Sequence, residues 1–172
     1  MEKKLLISND KIIKRIKEIG KEINEKYKGE KLTLLCILKG SIYFFSDLSR
    51  EIDLDVELEF IRVSSYAGCS STGKVELKFG LDNSIKDKNV IIVEDIVDTG
   101  RTLDYLLKDL RKQKPKSLET CSLLDKPDKR VVKDLVIDYV GFTIPDYFVF
   151  GYGLDVDQMY RNLSSIYYFN NK

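Results

Sequence analysis

Apolar residues at Ile12, Ile13, Ile16, Ile19, Ile23 and Tyr27 recur in steps of three and four. That spacing predicts one buried helix face, opened by Ser8-Asn9 and closed by Lys28-Gly29. The next apolar segment has another form. LTLLCIL (32–38) is unbroken, as in a strand covered on both faces. Lys39-Gly40-Ser41 ends it, and IYFFSDLSREI then reads as helix. VELEFIRV (56–63) begins by alternating, and KVELKFGL (74–81) alternates strictly, with Val75, Leu77 and Phe79 set against Lys74, Glu76 and Lys78. Between them SSYAGCSSTG (64–73) is small, polar and loop-like. NVIIVED (89–95) is a second covered strand. Leu103, Leu106, Leu107 and Leu110 predict a helix from Thr102 to Lys112, with basic residues at its end and Pro115 beyond. SLETCSLLD (117–125) is a further strand, followed by the aromatic-rich LVIDYVGF and DYFVFGYGLD. Strands alternating with helices predict an α/β fold with a parallel, doubly wound sheet. Ligands of such sheets lie beyond the carboxyl ends of the strands. That rule puts Lys39, Glu94, Asp95 and Lys126 on one functional edge.

The chain has 172 residues, enough for one domain with a sizeable core, and shows no internal repeat or low-complexity tract. Its 43% hydrophobic and 33% charged residues are ordinary for a globular protein. A net charge of +1 supplies no global field for nucleic acid or a membrane surface. No apolar run approaches the roughly 20 residues that span a bilayer. Leu5-Leu6-Ile7 is too short for the apolar region of a signal peptide. Cys36, Cys69 and Cys121 are scattered, which disfavours a disulfide framework or a zinc site. A cytoplasmic location is the expectation. The chain contains no histidine. Imidazole triads, shuttles and metal ligands are therefore excluded, and acid–base chemistry falls to carboxylates, Lys, Tyr or Cys.

One glycine-rich stretch invites a nucleotide-binding reading. Gly68 to Lys74 nearly spells a P-loop, but the hydroxyl residue that should follow the lysine is Val75. A P-loop must also open a helix, so that free N–H groups face the phosphates. Here an alternating strand follows. The segment reads better as a polar loop, and its place near the ligand edge would suit a lid.

VIIVEDIVDTGRTL (90–103) has the context that the decoy lacks. A covered strand runs into Glu94 and Asp95, and a turn, Asp98-Thr99-Gly100-Arg101-Thr102, then enters a helix. Free N–H groups at that helix start can hold a dianionic phosphate, and Gly100 allows close approach. Glu94 and Asp95 would repel phosphate. They suit a ribose diol or a hard, oxygen-seeking cation such as Mg²⁺. Phosphate and diol together point to a ribose 5-phosphate.

This stretch closely resembles the signature of the type I phosphoribosyltransferases, which use phosphoribosyl pyrophosphate. Other segments resemble the hypoxanthine (hypoxanthine-guanine) branch. Leu38-Lys39-Gly40 is similar to its diphosphate loop, for which the resemblance implies a cis Lys39-Gly40 peptide. Arg62-Val63-Ser64-Ser65-Tyr66 with Ser71-Thr72-Gly73 resembles its catalytic lid. Leu123-Leu124-Asp125-Lys126 matches its purine-contacting lysine. Val140 through Asp155, then Tyr160-Arg161-Asn162-Leu163, resembles the purine pocket with its metal and diphosphate residues. The likeness spans nearly the whole chain. It implies a single domain over 1–172, with a small hood formed by the N- and C-terminal segments.

The resemblance also implies a reaction: a 6-oxopurine joins phosphoribosyl pyrophosphate to give a nucleoside monophosphate and diphosphate, with Mg²⁺. Glu94 and Asp95 would hold the ribose diol, directly or through the metal, and Asp155 would serve a second Mg²⁺. Asp98, Thr99, Gly100, Arg101 and Thr102 would bind the 5′-phosphate. Lys39, Gly40 and Arg161 would meet the diphosphate. Asp98 would accept or share the purine N7 proton, and Lys126 would donate to the 6-oxo group. Phe148 would stack on the ring, with Val149 beside it in the pocket. Ser65 and Tyr66 would close over the reacting atoms. A homodimer or homotetramer is the expected assembly. Some relatives of this fold regulate genes by binding RNA, but the carboxylate at Asp98 and the nearly neutral charge argue against that reading. Orotate would demand more cationic groups, and the xanthine-guanine branch is associated with a Trp that this chain lacks.

Overall fold

The computed structural model describes residues 2–65 and 75–170. Its centre is a six-stranded sheet. The strands are β2 (Leu32–Leu38), β3 (Val56–Ser65), β4 (Val75–Phe79), β5 (Asn89–Val97), β6 (Ser117–Asp125) and β7 (Tyr139–Thr143). They lie in the order β4-β3-β2-β5-β6-β7. The five strands from β3 to β7 across the sheet are parallel, and β4 runs antiparallel on the β3 edge. The chain starts at β2 and winds outward through β3, then restarts at β5 and winds the other way. The reversal between β2 and β5 is the topological switch point where α/β sheets take their ligands.

Both faces of the sheet are covered. β2 sends Leu34 and Cys36 to one face and Leu35 and Ile37 to the other, and β5 divides Ile91 and Val93 from Val90 and Ile92 in the same way. The first set packs under α1 (Asn9–Lys26) and α2 (Ile42–Arg50), through Ile12, Ile16, Ile19, Ile23, Phe44 and Leu48. The second set packs under α3 (Arg101–Arg111), through Leu103, Leu106, Leu107 and Leu110. Burial on two sides explains why these strands carry unbroken apolar runs rather than alternation. Val75 begins a strand paired with β3, so the P-loop-like residues lead into no helix.

A second sheet has the order β1-β9-β8, from β1 (Glu2–Ile7), β9 (Ile166–Asn170) and β8 (Val149–Phe150). It joins the two ends of the chain antiparallel. Phe150 is fully buried there, stacked on Tyr167 and Phe169. Neither β1 nor β9 was legible in the hydrophobic pattern. β1 has four exposed residues out of six, and its partner lies at the opposite end of the chain. Asn9 ties that end down as well, because its backbone N–H donates to Ser165 Oγ (3.0 Å) and its amide to the Ser164 carbonyl (2.9 Å). DYFVFGYGLD contributes only the two-residue strand Val149–Phe150; positive φ at Gly151, Tyr152 and Gly153 turns the backbone away from extension.

Candidate active site

The carboxyl ends of β2, β3 and β5, the start of α3 and the loop after β8 enclose a cavity of about 530 Å³. Nine of the residues singled out from the sequence line it: Gly40, Glu94, Asp95, Asp98, Thr99, Gly100, Thr102, Asp155 and Arg161.

Its floor is the carboxylate pair. Glu94 is 9% exposed, and its Oε1 accepts the Asp95 backbone N–H (3.1 Å). Asp95 Oδ1 accepts the N–H of Ile96 (2.8 Å). Burial, reinforced by the charge of Asp95, pushes the Glu94 carboxyl well above the usual carboxylate range. Burial also raises Asp95, against backbone hydrogen bonds and the Arg161 charge, which pull it down. Two buried carboxyls with no adequate counter-charge form a strained arrangement that a cation or a pair of hydroxyl donors would relieve.

Gly40 must be glycine: a Cβ there would lie 1.5 Å from Asp95 Oδ2. Gly153, at φ +97°, is equally constrained, because its Cβ would lie 1.9 Å from the Gly40 carbonyl oxygen. Three segments distant in sequence thus meet in direct contact. Arg161 fastens the third, donating from Nη1 to the Gly153 carbonyl (2.6 Å) and pairing through Nη2 with Asp155 (2.7 Å). Asp155 also accepts the Gln158 N–H (2.8 Å). Lys39 lies at the rim, with Nζ 3.5 Å from Gln158 Oε1. The cis peptide is Leu38–Lys39, one bond earlier than the Lys39–Gly40 bond implied by resemblance.

At the other side, Gly100 takes the left-handed conformation (φ +82°) at the N-cap of α3, and no side chain caps that helix. Its first N–H groups are therefore free of intrahelical and side-chain capping partners, apart from a long contact of Arg101 N–H with Thr99 Oγ1 (3.4 Å). The segment after β6 holds the outward carbonyls of this turn. Val131 and Val132 N–H groups donate to the Thr99 carbonyl (3.0 and 3.2 Å), and Arg130 Nε donates to that of Asp98 (3.2 Å). Arg130 is itself paired with Asp125. Thr99, Gly100 and Thr102 line the cavity, and N–H groups left free at a helix start suit phosphate. Arg101 is exposed and does not line the cavity.

The expected base-recognition residues lie beside the cavity rather than in its lining. Lys126 is 5% exposed, and its Nζ donates to the Tyr147 carbonyl and lies 3.5 Å from Asp146 Oδ1. Phe148 is 62% exposed, an unsatisfied aromatic rather than a core residue, while Val149 is buried in β8. Ser65 is the last residue of β3, and Tyr66, with the rest of the lid-like segment, lies outside the described residues. Among the described residues no group of three or more carboxylate, Cys or His side chains could hold a metal by itself. Glu94, Asp95 and Asp155 share the cavity without forming one ligand cluster. A cation there would complete its shell with water and substrate oxygens, as Mg²⁺ commonly does. Sequence reasoning passed over Arg130, Gln158, Asp146 and Lys129. For Lys129 and Arg130 the signal available was the charged run DKPDKR directly after a strand that ends at the ligand edge; Asp146 and Gln158 carried none.

A fold with a switch-point cavity, an uncapped helix start and a buried carboxylate pair is that of a sugar-phosphate enzyme, and the chain belongs to the phosphoribosyl transferase domain family, whose model matches residues 5–157. Within it, the chain belongs with the hypoxanthine phosphoribosyltransferases. It is 47% identical over 166 residues to a hypoxanthine phosphoribosyltransferase of Buchnera aphidicola, covering 95% of this chain and 93% of that one. A crystal structure of a Bacillus anthracis hypoxanthine-guanine phosphoribosyltransferase superposes with a TM-score of 0.92 at 45% identity, over 97% of this chain and 98% of that one. A Trypanosoma cruzi hypoxanthine phosphoribosyltransferase, solved to study its C-terminal region in oligomeric state and activity, gives a TM-score of 0.91 at 42% identity, over 97% and 91%.

Proposed function

We propose that this chain is a purine-salvage enzyme that transfers the 5-phosphoribosyl group of phosphoribosyl pyrophosphate to N9 of hypoxanthine or guanine, releasing diphosphate. The observation that carries the reading is the meeting of Gly40, Asp95, Gly153 and the uncapped α3 start around one cavity. That meeting supports one substrate carrying a diphosphate, a diol and a phosphate, each beside the residues suited to it. The N–H groups of Thr99 to Thr102 would hold the 5′-phosphate. Glu94 and Asp95 would bind the ribose hydroxyls and a divalent cation. Lys39, the Gly40 backbone and Arg161 would neutralise the departing diphosphate. Bound Mg²⁺ would supply further charge neutralisation on the leaving group, with Asp155 near it. On the other side of the anomeric carbon, Asp98 would accept the purine N7 proton, Lys126 would donate to the 6-oxo oxygen and Phe148 would cover the ring. Ser65 and Tyr66 would exclude water from the activated sugar.

The single-domain reading over 1–172, with β1, β8 and β9 as the hood, is part of the same proposal, as are cytoplasmic action and assembly into a homodimer or homotetramer. Among the described residues no helix is long and apolar enough to cross a membrane. The oligomer is supported by the likeness to the T. cruzi enzyme and by the exposed apolar Leu58 and Phe60 on β3. One assay tests the activity: phosphoribosyl pyrophosphate and Mg²⁺ with each base in turn, following nucleotide and diphosphate release. Nucleotide from hypoxanthine or guanine is expected, and turnover with neither would sink the reading.

A further inference from the structure

We infer that Lys129 is a positioning residue for Asp98, fixing the rotation in which its carboxylate meets the substrate; the inference rests on the proton-accepting role proposed above. Asp98 Oδ1 is buried and, among the described residues, has no hydrogen-bond partner, while Asp98 lines the cavity. Asp98 Oδ2 instead faces Lys129 Nζ at 3.7 Å. A carboxylate with one oxygen enclosed and the other drawn toward a cation has one preferred rotation about its terminal bond. With Oδ1 enclosed and the Asp98 side chain 41% exposed, Oδ2 is the oxygen that an incoming N–H can reach.

The cation is itself held. Lys129 Nζ lies 2.9 Å from Asp146 Oδ1, and Asp146 is also 3.5 Å from Lys126 Nζ. Asp98, Lys129, Asp146 and Lys126 thus alternate in sign along a line. The line connects the group proposed for N7 with the group proposed for the 6-oxo oxygen. Asp146 holds the Lys129 ammonium in its charged form, and its own carboxyl lies below the usual range, chiefly because of Lys129. The backbone beneath is independent of these side chains. Lys129 N–H donates to the Lys126 carbonyl (3.2 Å) and Arg130 N–H to that of Pro127 (3.0 Å), so the short 3₁₀ turn at Pro127–Lys129 does not need the Lys129 charge.

Charge and orientation make opposite demands, which makes the role testable. Removing a cation makes a carboxylate a stronger acceptor, whereas releasing it from one rotation makes it a poorer one. Lys129 is 43% and Asp98 41% exposed at the side chain, so the pair is partly screened and orientation is the larger effect.

The probes are two deaza analogues compared as competitors of hypoxanthine. 9-Deazahypoxanthine keeps the N7–H and the 6-oxo group, and 7-deazahypoxanthine keeps the 6-oxo group but has carbon at position 7. The parent chain should prefer the 9-deaza compound. Lys129→Met should shrink that preference about two- to fivefold, the scale of a partly exposed ion pair. Lys129→Arg should restore it, and the KM for phosphoribosyl pyrophosphate should not move. In Asp98→Asn, adding Lys129→Met should change nothing further. A preference that is unchanged or enlarged in Lys129→Met overturns the inference. So does equal weakening of both analogues, which would mark Lys129 as part of the scaffold under Lys126. No preference in the parent would instead remove the proton-accepting role of Asp98 itself, a separate failure.

Discussion

The parallel sheet has a cavity at each end, and the two differ in the wrong direction for a search by size. The amino-end cavity is about 830 Å³ and lies between Leu32, Val56, Asn89 and Lys116, whereas the carboxyl-end cavity is about 530 Å³. Both are rich in charge, but the charges are used differently. At the amino end both glutamates have found a base: Glu30 meets Lys116 at 2.8 Å and Glu57 meets Lys88 at 2.6 Å, and both carboxyls are held below their ordinary range by those lysines. Asn89 and Thr33 there are also hydrogen-bonded. At the carboxyl end Glu94 and Asp95 are buried beside each other and raised, and Asp98 Oδ1 has no partner among the described residues. A satisfied polar surface has nothing to offer a ligand, whereas an uncompensated one is completed by it.

The sharpest way to break the contrast is Asp98→Asn. The amide preserves the turn and the α3 entry but removes the proposed proton acceptor. Single-turnover rates should fall by roughly 10²–10⁴-fold while phosphoribosyl pyrophosphate binding stays within a few-fold. Parental turnover would reduce Asp98 to a turn residue.

Next is the floor of the site. Glu94→Gln with Asp95→Asn should weaken phosphoribosyl pyrophosphate roughly a hundredfold, about the loss of one or two hydrogen bonds to charged groups, and make turnover insensitive to added Mg²⁺. The same variant should be more stable than the parent at neutral pH in chelator. The sign follows from the raised carboxyls. They bind more protons folded than unfolded, so parental stability declines as pH rises from the ordinary carboxylate range through the raised values. Below that window both states are protonated and the advantage should vanish. Denaturant midpoints of parent and variant against pH would check this; a constant gap across pH would mean that the site carries no electrostatic cost.

Lys126→Ala comes third. It should weaken 6-oxopurines by about 1.5–3 kcal/mol and leave a base without the 6-oxo group unaffected. Competitive binding of the two bases decides it, since equal losses would assign Lys126 to packing. The smallest change is expected at the opposite end. Lys88→Met removes a partly exposed ion pair, should cost about 0.2–1 kcal/mol in denaturant unfolding, and should leave kcat/KM alone. A large drop in activity would give the amino-end cavity a role that its paired charges deny.

Some of this was legible in the chain. β2 and β5 fall on the segments read as covered strands, because burial on both faces leaves an unbroken apolar run in one dimension. α3 begins one residue before the predicted helix, since a Gly turn followed by steps of three and four is local information. The turn proposed for phosphate and the acidic pair stand out for the same reason: one strand, one turn and one helix start carry them in 14 consecutive residues. What the sequence could not state depends on distant partners. β1 and β9 are strands because they pair with each other across nearly the whole chain. Lys126 falls at the ligand edge by sequence alone, but the enclosure of its Nζ by Tyr147 and Asp146 exists only once β5 and β6 stand side by side. Gly40 and Gly153 read as loop glycines, and only their mutual approach, with Asp95 against one of them, makes a side chain impossible. Composition and local periodicity determine where strands, turns and free N–H groups fall. Which charges are neutralised is decided by long-range packing, because an acid at the end of a strand cannot be known as paired or unpaired until its neighbours arrive.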